Sequence, residues 1–404
     1  MPESRLGVWL SSPVRSRQRI LIRLLVVLVG VSGLLFWYAS LARIASDWNA
    51  PVADIDFGRD LRGSLVAGDL AASRDADAIY DRSDPAYREV DAANYFYPPW
   101  FAIVMIPFAA IPFPAVFVVW SALGLVLLFR ALQYLGVSRW PAVGAGVAAT
   151  VATVICVWYG QTSLLMVGLL AWALVADAGS RPMSAGVGFA LLGFKPHLLI
   201  GFGVAWLLDL KRSWRTLMWI GLTTLFLVVV SAVWLPGSWV EFTRTILEAE
   251  PLASRSREVS LTSAAHLLFG DAAVLVWGSY AVTVVAVVGG LVYVDRKTSH
   301  DPVVMSALAV MASLLVALHS LSYDWLLLTV SLGLLVARER LDRARAAVVG
   351  LSLATVLAVG FPLTDAMLDA FGFAIHAPPL VLLAVFAWLV RRSNPVAPVT
   401  GRVS

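Results

Sequence analysis

The sequence predicts an all-α integral membrane protein, and three observations carry that reading. Hydrophobic residues make up 60% of the chain and charged residues only 14%, against about 25% charged in an ordinary soluble domain. The mean hydropathy is +0.82. Apolar runs long enough to cross a bilayer recur from end to end. A soluble globular protein is excluded. The net charge of +4 comes from 30 basic residues, of which only Lys195, Lys211 and Lys297 are lysines. The arginines cluster between apolar runs, so they read as topology determinants and not as a nucleic-acid surface. The one cysteine, Cys156, lies inside an apolar run and permits no disulfide within the chain.

Residues 1–19 form a basic N-terminus that stays cytoplasmic by the positive-inside rule. Residues 20–404 form one transmembrane domain. Its first helix runs from about Ile20 to Ile44, too long for a signal-peptide core and without a small-residue cleavage site, so it is expected to be retained. Residues 45–99 are then an exported loop. Further helices are expected near 115–136, 141–158, 162–178, 216–235, 273–295, 302–318, 322–337, 346–362 and 378–391. Met183 to Leu210 reads as two short passes broken at Lys195-Pro196-His197, with the break as an exported tip. Trp100 to Ile111, bounded by Pro98-Pro99 and Pro112-Phe113-Pro114, is half a span long and reads as a re-entrant or interfacial half-helix. The total is about 12 spans. The clusters at Arg130 and Arg139, Arg181, Lys211 to Arg215, Arg296 and Lys297, Arg338 to Arg345, and Arg391 and Arg392 then fall on one side. Both termini are cytoplasmic and a second exported loop covers 236–265.

Ionisable groups at membrane depth are costly and mark functional sites by default. This topology gathers on the exported face Asp54, Asp56 and Asp60, Tyr95 and Tyr97, Gln161, Lys195 and His197. Arg255, Arg257 and His266 of the second loop join them, with His319, Tyr323 and Asp324. The first loop is organised around its ends, Asp54-Ile55-Asp56-Phe57 and Tyr95-Phe96-Tyr97-Pro98-Pro99-Trp100. Asp54 and Asp60 read as a solvated charge run and helix cap before an amphipathic stretch, Leu61 to Leu70. Asp56, with Phe57 beside it to exclude water, is the candidate general base, a role worth about 10²- to 10⁴-fold in rate. Lys195 and His197 on a broken helix pair make an electropositive tip suited to a departing phosphate. The bland alternative is a proline break with Lys195 snorkelling to headgroups. His319 and Asp324 read as a pair lining the cavity, or as a structural helix cap. Gln161 lines the cavity or caps a helix end. No third His or Cys stands at ligand spacing, so no metal is expected. No nucleotide-binding motif or other cofactor signature is present.

The order of these pieces resembles the polyprenol-phosphate-mannose-dependent mannosyltransferases of glycosyltransferase family 87, a branch of the membrane-embedded GT-C superfamily. The matching pieces are Asp56-Phe57, Gly68-Asp69, Tyr80-Asp81, Tyr97-Pro98-Pro99, Gly160-Gln161, Lys195-Pro196-His197, Trp214-Arg215 and Tyr323-Asp324. They cover about 50–335. The resemblance implies a GT-C bundle under a periplasmic loop layer, in the inner (plasma) membrane with its active site facing the periplasm or exterior. It implies inverting transfer of one sugar, mannose by default, from a polyprenyl-phosphate carrier to a hydroxyl of a lipid or glycan acceptor, with Asp56 as base. The chain also departs from the family pattern: a second carboxylate, Asp54, precedes Asp56 and is the alternative base, and Gly58, Arg59 and Asp60 stand where an aromatic residue is usual. A lipid donor independently calls for basic groups at the exported surface, and Lys195, His197, Arg255, Arg257, His266 and His319 are the candidates for its phosphate. Asp54, Tyr95, Tyr97, Gln161, Tyr323 and Asp324 are candidates for the substrate cavity.

Three other classes compete. A polyprenyl-pyrophosphate glycan ligase differs mainly in its donor. A transporter or flippase also uses broken helices, but two related halves are expected of it and no internal repeat is visible. A purely structural membrane subunit has no need of the acidic loop.

Overall fold

The computed structural model describes residues 13–393 apart from 49, 82, 94, 138–139, 248–257, 271, 299–300, 339 and 372. The described residues are helical and contain no strand; one isolated bridge joins Glu258 to Leu321. The chain is an all-α membrane protein. Among the described residues five helices are long and apolar enough to cross a bilayer: Val27–Asp47 at the end of a longer helix, Phe113–Tyr134, Leu210–Trp234, Ala273–Thr298, and Arg345–Ala370. A sixth span is available if Val151–Tyr159 and Ser163–Ala178, bent by 112° at their junction, count as one. Large apolar side chains on the long helices point outward; Leu34, Val233 and Val282 are 64, 76 and 71% exposed. Such a surface is stable against lipid tails and not against water.

Five or six spans of full length thus stand among the described residues, against the 12 or so expected. Helices stand where the sequence places them, but many are short. Pro99–Ala109, Pro182–Phe194, Pro196–Leu208, Pro302–Val316 and Ser322–Ala337 have only 10–17 residues. At 1.5 Å per residue the 15 residues of Pro302–Val316 reach about 22 Å, less than the roughly 30 Å hydrocarbon core. They are short because the chain is interrupted at polar positions: Gly160-Gln161-Thr162, Lys195-Pro196, and the turn from Ala317 to Leu321. The break at Lys195 lies where the sequence puts it, flanked by 3-10 turns at Leu192–Phe194 and Pro196–Leu199.

The first loop is folded, not extended. Helix Arg59–Ser73 lies against Pro99–Ala109, and the approach is close: a Cβ on Gly68 would meet the Met105 backbone at 2.8 Å. Short helices Ala76–Tyr80 and Pro85–Glu89 follow, capped by Asp75 and Asp84 side chains that accept from Ala78 N and Ala86 N. Phe57 is fully buried among Phe113, Phe117 and Trp158, which fixes the loop to the bundle between Asp56 and Gly58. Gly58 adopts φ +69, and its N–H donates to Trp158 O at 2.6 Å. That left-handed turn admits glycine at little cost.

Arg62 is the buried tie of the loop. Its guanidinium donates to the carbonyls of Val52, Ile55 and Asp91 at 3.1, 2.5 and 3.1 Å while its side chain is 2% exposed. Arg62→Met keeps the stem and strands those carbonyls, so it is expected to destabilise the protein by about 2–4 kcal/mol. Thermal unfolding in detergent checks this; an unchanged melting temperature contradicts it.

Candidate active site

The three interruptions and the first loop meet in one buried polar cluster. Helix Val151–Tyr159 closes with Gly160 at φ +68, where an added Cβ would meet the Leu61 Cβ at 2.5 Å. Gln161, Thr162 and Ser163 follow. Lys195 comes from the second break and Asp324 from the 3-10 segment Ser322–Leu327. Lys195 Nζ donates to Asp324 Oδ1 at 2.8 Å, and lies 3.4 Å from both Gln161 Oε1 and Ser163 Oγ. Ser163 Oγ donates to the same Asp324 oxygen at 2.7 Å, and the Leu321 N–H to the other at 3.0 Å. Tyr97 donates its hydroxyl to Gln161 Oε1 at 3.2 Å. Beneath the ammonium lies the Tyr323 ring, 4.9 Å from Nζ. Gln161 Nε2 turns the other way and donates to Asp60 Oδ2.

Within this cluster the structure unites Tyr97, Gln161, Lys195, Tyr323 and Asp324, all named from sequence, and adds Asp60, Thr162 and Ser163. Asp60 reads from sequence as a solvated charge; here it is partly buried, and burial raises its carboxyl above the ordinary range against the opposing pull of the Gln161 hydrogen bond, Lys195 and Arg59. A signal for it was present. Asp60, Ser64, Ala67 and Ala71 fall on one helix stripe at i, i+4, i+7 and i+11, and the last three are buried. A carboxylate heading a stripe of small residues sits against whatever that stripe packs on.

The expected electropositive tip is instead charge-compensated. Its ammonium is paired with the Asp324 carboxylate, because a lysine inside an apolar bundle is stable only when paired. His197 is partly buried two residues further on, and its ring makes no hydrogen bond with the described residues.

Other expected members lie elsewhere. Asp56 is on the surface, where Arg43 Nη2 and Nε donate to its Oδ2 at 2.6 and 3.0 Å; its side chain is 60% exposed. Asp54 is likewise exposed. Tyr95 is buried, with its hydroxyl donating to Pro98 O at 3.1 Å. His266 belongs to helix Leu261–Phe269. His319 does not pair with Asp324: its Nδ1 lies 3.1 Å from Glu258 Oε1, and that buried carboxylate raises the imidazole pKa. Arg255 and Arg257 lie outside the described residues.

Two outcomes follow. Lys195→Met or Asp324→Asn alone leaves a buried charge unpaired and is expected to cost about 3–5 kcal/mol. Lys195→Met combined with Asp324→Asn is expected to cost less than the two singles summed, by thermal unfolding; strict additivity contradicts the pairing. For His319, the folded pKa is raised, so its contribution is complete below the unfolded value of about 6.5 and is lost as pH rises through the folded one. Hydrogen exchange at Val259, whose N–H donates to Ser320 O, is expected to gain an extra acceleration over that rise, which His319→Gln removes.

Against known proteins, the sequence profile of glycosyltransferase family 87 matches residues 95–321, more than half of the chain. No curated protein and no solved structure matches. The matched stretch contains Tyr97, Gln161, Ser163 and Lys195, four of the side chains that build the buried cluster, and the chain belongs to glycosyltransferase family 87.

Proposed function

We propose that this membrane glycosyltransferase takes one sugar, mannose by default, from a polyprenyl-phosphate carrier and transfers it to a hydroxyl of a lipid or glycan acceptor, with inversion. The observation that carries the reading is a family-87 chain whose first loop sets carboxylates over a polar cluster at one end of an apolar bundle. In this reading the short apolar helices complete a GT-C-type bundle around the long ones. The polar end faces the periplasm or exterior of an inner-membrane protein with cytoplasmic termini. The distribution of charge supports that orientation. Helix Ser163–Ala178 starts at the cluster and carries Asp177, bonded to Arg212 at 3.2 Å, near its far end. Helix Pro302–Val316 starts at Asp301, which pairs with Arg340. Basic residues thus gather at the end remote from the cluster, as the positive-inside rule asks of a cytoplasmic face.

Asp56 is the base in this reading. Its exposure supports the role, since a bulky acceptor must bring its hydroxyl within about 3 Å of the carboxylate. The acceptor hydroxyl gives its proton to Asp56 as its oxygen bonds to the anomeric carbon. The bond from that carbon to the phosphate oxygen breaks on the opposite side, and polyprenyl phosphate leaves with the electron pair. One in-line step inverts the centre and needs no covalent enzyme intermediate. Because Lys195 is buried, basic groups that reach the surface are left to meet the phosphate. Arg43, paired with Asp47 and Asp56, and His319, paired with Glu258, are the described candidates, each with more than half of its side chain exposed.

Asp56→Asn, assayed in membranes with radiolabelled polyprenyl-phosphate mannose, is expected to lower the rate by about 10²- to 10⁴-fold at normal protein level. Asp54→Asn is expected to stay near the parent rate. Full activity of the Asp56 variant removes the base assignment.

A further inference from the structure

One side of the cluster is fully buried and the other only partly, and the two differ in chemistry. On the buried side Lys195, Asp324, Ser163 and Gln161 satisfy one another. On the other side stand Asp60 and Tyr97, both partly buried, with His197 flanking the Lys195 break. Asp60 Oδ2 is held by Gln161 Nε2, and no described residue donates to Oδ1. The partly buried imidazole of His197 likewise has no hydrogen-bond partner among the described residues. A carboxylate with one oxygen clamped and one free is a poor neighbour for an anion, so this side of the cluster does not suit a phosphate. It is a good acceptor for neutral hydroxyls, which gain charge-assisted hydrogen bonds from it. Tyr97 adds a ring and a hydroxyl at the same place, with its ring backed by Phe101 and Phe194 at 4.9 and 6.0 Å.

We propose that Asp60, clamped by Gln161 and flanked by Tyr97, is a hydroxyl-reading subsite for the transferred hexose, distinct from the base, in which Oδ1 accepts from ring hydroxyls and discriminates between epimers. The proposal rests on the transferase reading for its choice of ligand. It gives the buried Lys195–Asp324 pair a positioning role, in which the ammonium orients the Gln161 amide through Oε1 and the amide nitrogen aims the Asp60 carboxylate. A site built to accept from a given hydroxyl rejects the sugar that places it elsewhere, because the buried oxygen is then left unpaired.

Saturation-transfer NMR on the detergent-purified full chain tests this, with methyl α-D-mannopyranoside, methyl α-D-glucopyranoside and methyl α-D-galactopyranoside as probes. The parent protein is expected to prefer one epimer. Asp60→Asn is expected to weaken that epimer about tenfold or more and to erase the preference. Tyr97→Phe, which retains the ring, covers the case in which the Asp60 variant fails to fold, and is expected to weaken binding in the same direction. Binding of all three sugars unchanged in a folded Asp60→Asn protein overturns the subsite, as does a parent protein that binds none of them. Transfer from polyprenyl-phosphate mannose is assayed in parallel. A parent protein that binds the hexosides through Asp60 yet transfers nothing from that donor keeps the subsite and loses the donor assignment. Asp60→Asn protein that loses turnover and the acid limb of its pH profile, with hexoside binding intact, makes Asp60 the base and overturns the proposal.

Discussion

Lys195 Nζ sits 2.8 Å from Asp324 Oδ1 with both side chains under a tenth exposed, and the rest of the architecture accommodates that pair. Two charges taken out of water cost several kcal/mol each unless they meet each other and fill their remaining hydrogen bonds. Regular helices satisfy their backbone internally and offer few such partners. The chain therefore breaks three times at one level, and each break supplies a side chain: Gln161 and Ser163 from the first, Lys195 from the second, Asp324 from the third. Irregular backbone at membrane depth is tolerated where protein surrounds it. The broken ends are closed locally, by the Gln161 N–H on Cys156 O at 2.8 Å and by the Leu321 N–H on the Asp324 carboxylate.

The same pair governs what the first loop does. Phe57 in its aromatic cage, Gly58 in its left-handed turn and Gly160 against Leu61 press helix Arg59–Ser73 onto the first break. Asp60 thereby meets Gln161, which Lys195 already holds. Four residues earlier Asp56 stays outside with Arg43. Two carboxylates on one short segment thus occupy different environments, one wet and cation-paired, one partly buried and amide-clamped. Environments that differ in this way suit different chemical roles.

Much of this was legible in the sequence. Apolar runs located the helices, and Lys195-Pro196 announced its break because a proline and a charge together cannot continue a membrane helix. Tyr97, Gln161, Lys195, Tyr323 and Asp324 stood out as polar residues against apolar surroundings, and they do converge. Span lengths were not legible, because hydropathy reports composition and not where a helix stops. Pro302–Val316 reads like a span and is 15 residues long. The roles within the cluster were hidden for another reason: charge compensation is a long-range property. Nothing near Lys195 in sequence reveals that Asp324, 129 residues away, meets its charge, and nothing near His319 points to Glu258. Asp60 was hidden in a run of acidic residues that reads as solvated, although its helical stripe of small residues carried the information.

If this fold moves a sugar from a lipid phosphate in one displacement, the anomeric centre must invert. Purified protein supplied with polyprenyl-phosphate [¹⁴C]mannose and a membrane lipid extract, followed by determination of the anomeric configuration of the product, tests that most directly. Transfer with the configuration at the anomeric carbon inverted relative to the donor is the predicted result. Transfer with retention, or no transfer by folded protein, contradicts it.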